Sequence, residues 1–424
     1  MTGEAPELLF SMIERFNRNA DDYRTGSYNE AQLRQEFVNP LFKLLGWDMD
    51  NDEGASERYK QVIHEDSIKI NGETKAPDYC FRVGGVRKFF VEAKKPAVRI
   101  KDDPASAYQL RRYAWSSKLP LSILTNFEEF AVYDCRIKPA SSDKASTARI
   151  EHFTLGDYPG RWEHLLSLFS PIGILQGSFD RFVESSEGKR GTAEVDEAFL
   201  AEIESWRDQL ARNLALRNRH LTSDNLNYAV QKIIDRIIFL RICEDRGIEP
   251  YRRLSALTNG HDVYARLSEL YRQADYKYNS GLFHFDEQAD REEPPDTFTL
   301  DLAIDDKVLK DILGSLYFPE SPYEFSVLPA DILGHVYEQF LGKVIRLTPG
   351  HQAKVEEKPE VKKAGGVYYT PTYVVDYIVK NTLGKLLDGK TPKQASQIKV
   401  VDPTCGSGLF LLGAYQYGAE LLSF

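Results

Sequence analysis

Two groups of residues in this 424-residue sequence have the types and spacing that chemistry needs. In the first, Asp78 precedes Glu92 and Lys94, which stand two residues apart and so share one face if they lie on a strand. Two carboxylates converging at a sheet edge make an oxygen-rich site of the kind that hard Mg²⁺ prefers. An ammonium beside them can orient or help activate a water that attacks a phosphate, while the metal stabilises the charge that develops. The second group is the run Asp402-Pro403-Thr404-Cys405-Gly406-Ser407-Gly408. Gly406 and Gly408 let backbone approach a ligand where a Cβ would clash, and a helix opening at Leu409 offers unsatisfied N–H groups.

The surrounding pattern predicts elements that hold both groups. Apolar residues at three- and four-residue spacing predict helices over Leu8 to Phe16 and Glu30 to Leu45, the second stopped by Gly46. Strands are expected over Asp78 to Val83 and Arg87 to Val91, with Gly84-Gly85 as the turn. Asp78 then stands opposite Glu92 only if the turn has three residues or the hairpin carries a bulge. A helix capped by Asp103 and opened by Pro104 runs to about Trp115, and strands follow over Leu121 to Leu124 and Phe130 to Tyr133. The polar stretch 184–196 reads as a linker, residues 199–341 as mostly helical, and 351–363 as a charged loop. Ile398 to Asp402 reads as a short buried strand that places the glycine loop at its carboxyl end.

Pro77-Asp78 followed by Glu92-Ala93-Lys94 resembles the PD-(D/E)xK nuclease signature, and Gln109 with Tyr113 is similar to the QxxxY element of restriction-type members. That resemblance implies Asp78 and Glu92 as magnesium ligands, with Lys94 and Gln109 in the catalytic set. Glu36 matches an extra acid that some members add. Asp402 to Phe410 looks like motif I of adenine-N6 DNA methyltransferases, and Gly366-Val367-Tyr368-Tyr369-Thr370-Pro371 resembles their motif X. These imply S-adenosylmethionine held by Tyr369, Thr370, Pro371, Asp402, Pro403, Thr404, Cys405, Gly406 and Gly408. Asp331 to Gly342 resembles the helical connector of fused restriction-modification enzymes, with His335 on a helix face.

The chain therefore resembles a fused restriction endonuclease and adenine-N6 methyltransferase. The expected fold is a multi-domain α/β chain: a nuclease domain at 1–183, a helical connector at 197–350, and at 351–424 the start of a Rossmann-like methyltransferase domain. The resemblance implies double-stranded DNA as partner and leaves dimerisation on DNA open. No Asn-Pro-Pro-Tyr-like motif IV occurs, and Pro294-Pro295 lies in an expected loop before motif I. A carboxyl-terminal methyltransferase and target-recognition region is thus expected to be missing, and methylation is not expected from this chain alone. Two other readings stay open: a defence-system methyltransferase whose nuclease domain no longer cuts, and a non-catalytic fragment that senses S-adenosylmethionine.

Composition narrows the classes. A net charge of -10 argues against indiscriminate nucleic-acid binding, although Lys94, Lys95, Arg99 and Lys101 cluster and Arg207, Arg212, Arg217 and Arg219 recur. Cys80, Cys135, Cys243 and Cys405 lack zinc-site or disulfide spacing and read as reduced thiols. The absence of a membrane-length apolar run and of a signal-peptide pattern predicts a cytoplasmic location with no membrane partner.

Overall fold

The computed structural model describes residues 4–57, 59–64, 69–70, 73–74, 77–185, 195–278, 280–287, 294–328, 334, 342–358, 370, 372–405 and 408–421. It is a mixed α/β structure whose contacts divide into two units. The first gathers Met1–Val195, Phe239–Ala256 and Leu313–Leu328; the second gathers Asp196–Ile238, Leu257–Ile312 and Pro329–Phe424. Stretches of residues 197–350 contribute to both units, and the linker expected at 184–196 lies largely outside the described residues.

In the first unit a six-stranded sheet runs in chain order: Val62–Ile63, Tyr79–Val83, Val86–Ala93, Leu121–Thr125, Glu129–Asp134 and Arg149–Thr154. All neighbours are antiparallel except Val86–Ala93 with Leu121–Thr125, which are parallel and joined through the helix Pro104–Ser116. A parallel pair cannot be closed by a tight turn, so the crossover helix is obligatory. It starts as the sequence predicts: the Asp103 side chain accepts from the Ala105 N–H, with Pro104 in the first turn. The edge strands Val62–Ile63 and Arg149–Thr154 carry too little alternation to be read from sequence.

Period-two alternation sorts each strand between two cores. Phe81, Phe89, Val91, Ala93, Ile123, Phe130 and Val132 face the core formed with Phe16, Phe37, Leu41, Phe42, Trp162 and Phe169. Cys80, Phe90, Leu124, Ala131 and Tyr133 face the other side and pack with Leu110, Tyr113 and Ala114 of the crossover helix. Glu92 shares the parity of Phe90, and Asp78 that of Cys80, so both carboxylates belong to the face that this helix covers.

The hairpin resolves the register question. Val83 pairs with Val86 across the two-residue turn Gly84-Gly85, both at positive φ (59° and 79°), as a hairpin turn of this length requires. A bulge then shifts the register, because Arg82 pairs with Arg87 but Phe81 pairs with Phe89. Tyr79 therefore meets Val91, and the next position along each strand is Asp78 and Glu92. The expected Glu30 to Leu45 helix is present but interrupted: Glu30–Leu33 and Asn39–Leu44 are α-helical, and Arg34–Val38 between them is a π-helical turn.

The second unit is built on Val195–Arg217, the leading part of Ser223–Asp245, and Val263–Tyr278. Arg236 is fully buried in it, donating to Asp296, Thr299 Oγ1 and the Leu282 carbonyl. Two sequence expectations are corrected here. Residues 353–357, expected within a charged loop, form a strand paired antiparallel with Lys343–Leu347. Its stabilisation is local and cross-strand: Ile345 is buried, Asn227 bonds both backbone groups of Ile345, and Arg346 pairs with Glu356. Conversely, Ile398 to Asp402, expected as a buried strand, takes no strand conformation, and Val401 is 82% exposed. A strand exists only as part of a ladder, and this segment has no partner strand among the described residues. Beside it, the helices Thr372–Asn381 and Leu409–Leu421 pack closely, and a Cβ at Gly413 would stand 3.0 Å from Val375 Cγ1. No helix among the described residues is long and apolar enough to cross a membrane.

Candidate active site

The sheet, its bulge and the crossover helix bring four of the sequence-predicted residues together. Asp78 uses both carboxylate oxygens: Oδ2 accepts the Ala93 backbone N–H at 2.8 Å and Oδ1 accepts Arg34 Nη1 at 2.8 Å. Glu92 Oε1 accepts Lys94 Nζ at 2.7 Å and Gln109 Nε2 at 3.0 Å. Gln109 reaches it because the crossover helix lies over this face of the sheet, and Tyr113, one turn on, is buried beneath. Burial pushes the Tyr113 phenol well above its ordinary range, so it stays neutral.

Electrostatics mark the cluster as expensive in the absence of a bound cation. Burial raises the Asp78 carboxyl despite the nearby Arg34. Burial and then the Asp78 charge push Glu92 up to about 7. Burial works against the Lys94 charge, but Glu92, Glu30 and Asp78 together hold its pKa above the ordinary lysine value. Glu92 Oε2 is buried with no hydrogen-bond partner. A buried carboxylate oxygen without a hydrogen-bond partner, beside the second, largely shielded carboxylate of Asp78, fits a cation, because that oxygen's desolvation is otherwise unrepaid. Asp78 and Glu92 are the groups that would hold it. Among the described residues no set of three or more His, Cys, Asp and Glu side chains gathers into a metal-binding group.

Glu36, expected as the extra acid, does not join this site: its charge acts on Tyr28 instead. Two residues that sequence reasoning passed over do join it. Arg34 bonds Asp78 directly, and Glu30, one helical turn earlier, acts electrostatically on Asp78, Glu92 and Lys94. Their four-residue spacing was visible in the sequence, but nothing there showed which partner they would face.

The second predicted group is placed only in part. Tyr369, Pro371 and Gly406 lie outside the described residues, as does most of the segment Asp331 to Leu341. Thr370 stands two residues before the Thr372–Asn381 helix. Asp402 folds its side chain back on its own loop, accepting the Thr404 N–H at 3.0 Å. Pro403, Thr404 and Cys405 are exposed, and Gly408 takes φ 77° just before the Leu409–Leu421 helix. That left-handed turn supports the reading of Gly408 as a backbone requirement. Asp402 and Pro403 also border an open groove of about 500 Å³, lined mainly by apolar side chains including Ile378, Leu386 and Val400.

Both groups lie within stretches that match family models. Residues 27–141 match the family model described as type I restriction enzyme R protein N terminus, and residues 329–420 match the N-6 DNA methylase model. Over 421 residues the chain is 36% identical to the type II restriction enzyme and methyltransferase RM.Eco57I of Escherichia coli, covering 98% of this chain and 41% of that protein. It is 24% identical to RM.MjaORFECS2P of Methanocaldococcus jannaschii, again over 98% of this chain and 41% of the relative. The chain therefore spans 41% of the length of the curated relatives it matches. Among solved structures, the type IIG restriction endonuclease BpuSI is similar at 16% identity, over 91% of this chain and 36% of that one, with a TM-score of 0.26.

Proposed function

We propose that this chain, which resembles fused restriction–methyltransferase proteins along nearly its whole length, carries a PD-(D/E)xK-type endonuclease site that cuts double-stranded DNA with Mg²⁺. The observation that carries the reading is the Asp78, Glu92, Lys94, Gln109 cluster on one sheet face, with Glu92 Oε2 buried and unpartnered. Held by Asp78 and Glu92, the metal would supply Lewis-acid stabilisation of the phosphate and a more acidic water. The chain's own residues do the rest. Gln109 and Lys94 fix the Glu92 carboxylate by bonding the same oxygen, leaving Oε2 without a hydrogen-bond partner. The Ala93 N–H fixes Asp78 from the adjoining strand. Lys94 spends one of its three donors on Glu92 and has others to turn toward an attacking water or a phosphate oxygen.

The second half of the proposal is a methyltransferase module of the adenine-N6 class that binds S-adenosylmethionine through Asp402 to Gly408, with Tyr369, Thr370 and Pro371 contributing to the same site. The match of residues 329–420 to the N-6 DNA methylase model supports it. Domain bounds of 1–183, 197–350 and 351–424 remain part of this proposal.

The test is cleavage of long unmethylated duplex DNA with Mg²⁺ or with EDTA, alongside Lys94→Ala. Cutting is expected only with Mg²⁺ and is expected to fall on the order of 10²–10³-fold in the variant, the size typical of losing one pre-positioned donor. Undiminished cutting by Lys94→Ala would remove Lys94 from the reaction and with it this reading of the site.

A further inference from the structure

We propose that Arg34 is a built-in counter-ion that holds Asp78 in the metal's place, so that metal binding requires Arg34 to let go. This rests on the reading of Asp78 and Glu92 as a metal pair. Asp78 Oδ2 is tied to the Ala93 N–H, a backbone group within the sheet that cannot retreat without breaking the strand. Oδ1 is therefore the oxygen free to change partners, and Arg34 Nη1 occupies it at 2.8 Å. The two side chains are only 16% and 15% exposed, so the contact is largely shielded from water.

The arrangement has a physical cause. A buried carboxylate beside a largely shielded one needs compensating positive charge for the fold to tolerate the pair. Lys94 provides it for Glu92 and Arg34 provides it for Asp78. A divalent ion held by the same carboxylates would make the second cation redundant and would repel it. Arg34 reaches in from the first residue of the π-helical turn Arg34–Val38, outside the sheet, on a long stem that can swing off Asp78 while its guanidinium stays near the Tyr79 ring. Lys94 sits on the strand's own continuation, its backbone N–H bonded to Thr125. The guanidinium thus keeps the site folded without metal and at the same time lowers its affinity for metal.

Mg²⁺ titration calorimetry on the full chain, paired with thermal unfolding with and without Mg²⁺, tests this using Arg34→Met, which keeps the stem, and Arg34→Lys, which keeps a charge. Arg34→Met is expected to bind Mg²⁺ on the order of tenfold or more tightly than the unmodified chain, because one unit charge next to the ion is gone. Without Mg²⁺ it melts lower than the unmodified chain, and with Mg²⁺ it recovers by a larger shift. Arg34→Lys stays near the unmodified affinity. A merely structural Arg34 would lower stability in both conditions and leave the affinity unchanged or weaker. If the unmodified chain binds Mg²⁺ and Arg34→Met binds it no more tightly, the counter-ion role is overturned while the metal site stands. If neither chain binds Mg²⁺, the metal site itself fails and this inference with it. Adding Asp78→Asn to Arg34→Met must abolish the gain.

Discussion

Replacing Glu92 with glutamine is expected to abolish Mg²⁺-dependent cleavage and, in EDTA at pH 8, to raise the melting temperature. The loss follows from removing half of the carboxylate pair: metal stabilisation of a transition state is worth several kcal/mol, which corresponds to a fall on the order of 10³-fold. The gain follows from the pKa. Burial and Asp78 push the folded-state Glu92 carboxyl to about 7 from an ordinary 4.5. A raised acid binds its proton more tightly folded than unfolded, so below pH 4.5 it costs nothing, and the penalty grows as pH rises toward 7. Above 7 it is fully present, at about 3 kcal/mol for a shift of this size. Glutamine carries no charge and escapes the penalty, while its carbonyl keeps an acceptor for Lys94 and Gln109. Lys94 loses an ionic partner, which offsets part of the gain and leaves a rise of roughly 2–4 °C per kcal/mol of net benefit. Melting curves at pH 5 and pH 8 separate the two effects, since the advantage of the variant should shrink at the lower pH. A variant that melts below the unmodified chain at pH 8 would show that Glu92 is not held under electrostatic strain. The same titration predicts that Mg²⁺ affinity rises with pH up to about 7, because metal and proton compete for Glu92.

What the sequence made legible was local. The Asp103-Pro104 cap, the Gly84-Gly85 turn and the two-residue step from Glu92 to Lys94 are short-range signals, and each reappears in the structure. The bulge that sets Asp78 at the position opposite Glu92 is not encoded by any one residue type, and sequence reasoning could only state that it was required. Arg34 and Glu30 were invisible as site residues because a helix pattern tells which side chains share a face and says nothing about what lies across from them. Ile398 to Asp402 has strand composition, yet composition cannot create a neighbouring strand, and without one the segment leaves Val401 exposed. The Ala353–Glu357 strand errs in the other direction: its charges read as part of a solvated loop over 351–363, whereas it pairs with Lys343–Leu347 and its Glu356 meets Arg346 across the strands.

The least legible feature is also a large energetic one. Removing Glu324 by substitution with alanine is expected to destabilise the first unit by about 3–5 kcal/mol, the usual cost of stranding a buried charge. Glu324 is fully buried and forms an ion pair with Arg112 on the crossover helix, and its backbone N–H donates to Ser116 Oγ at 2.9 Å. Burial opposes the Arg112 charge, but Glu324 outweighs it and keeps the guanidinium's pKa above its ordinary value. Two further bonds run from this helix's end and from the hairpin to one acceptor, since Ser117 Oγ and Arg87 Nη1 both donate to the Val327 carbonyl. A segment some 200 residues downstream in sequence thus fastens the helix that aims Gln109 at Glu92. Glu324→Ala should lower the melting temperature by roughly 10 °C, and most of that loss should return in the double substitution Arg112→Met with Glu324→Leu. The recovery is the decisive reading, because two apolar groups of similar volume satisfy the space without leaving a charge behind. If the double variant is as unstable as Glu324→Ala alone, the pair matters for packing rather than charge. If Glu324→Ala melts within a degree of the unmodified chain, the crossover helix is held by its apolar face against Cys80, Phe90 and Leu124 and needs no clamp.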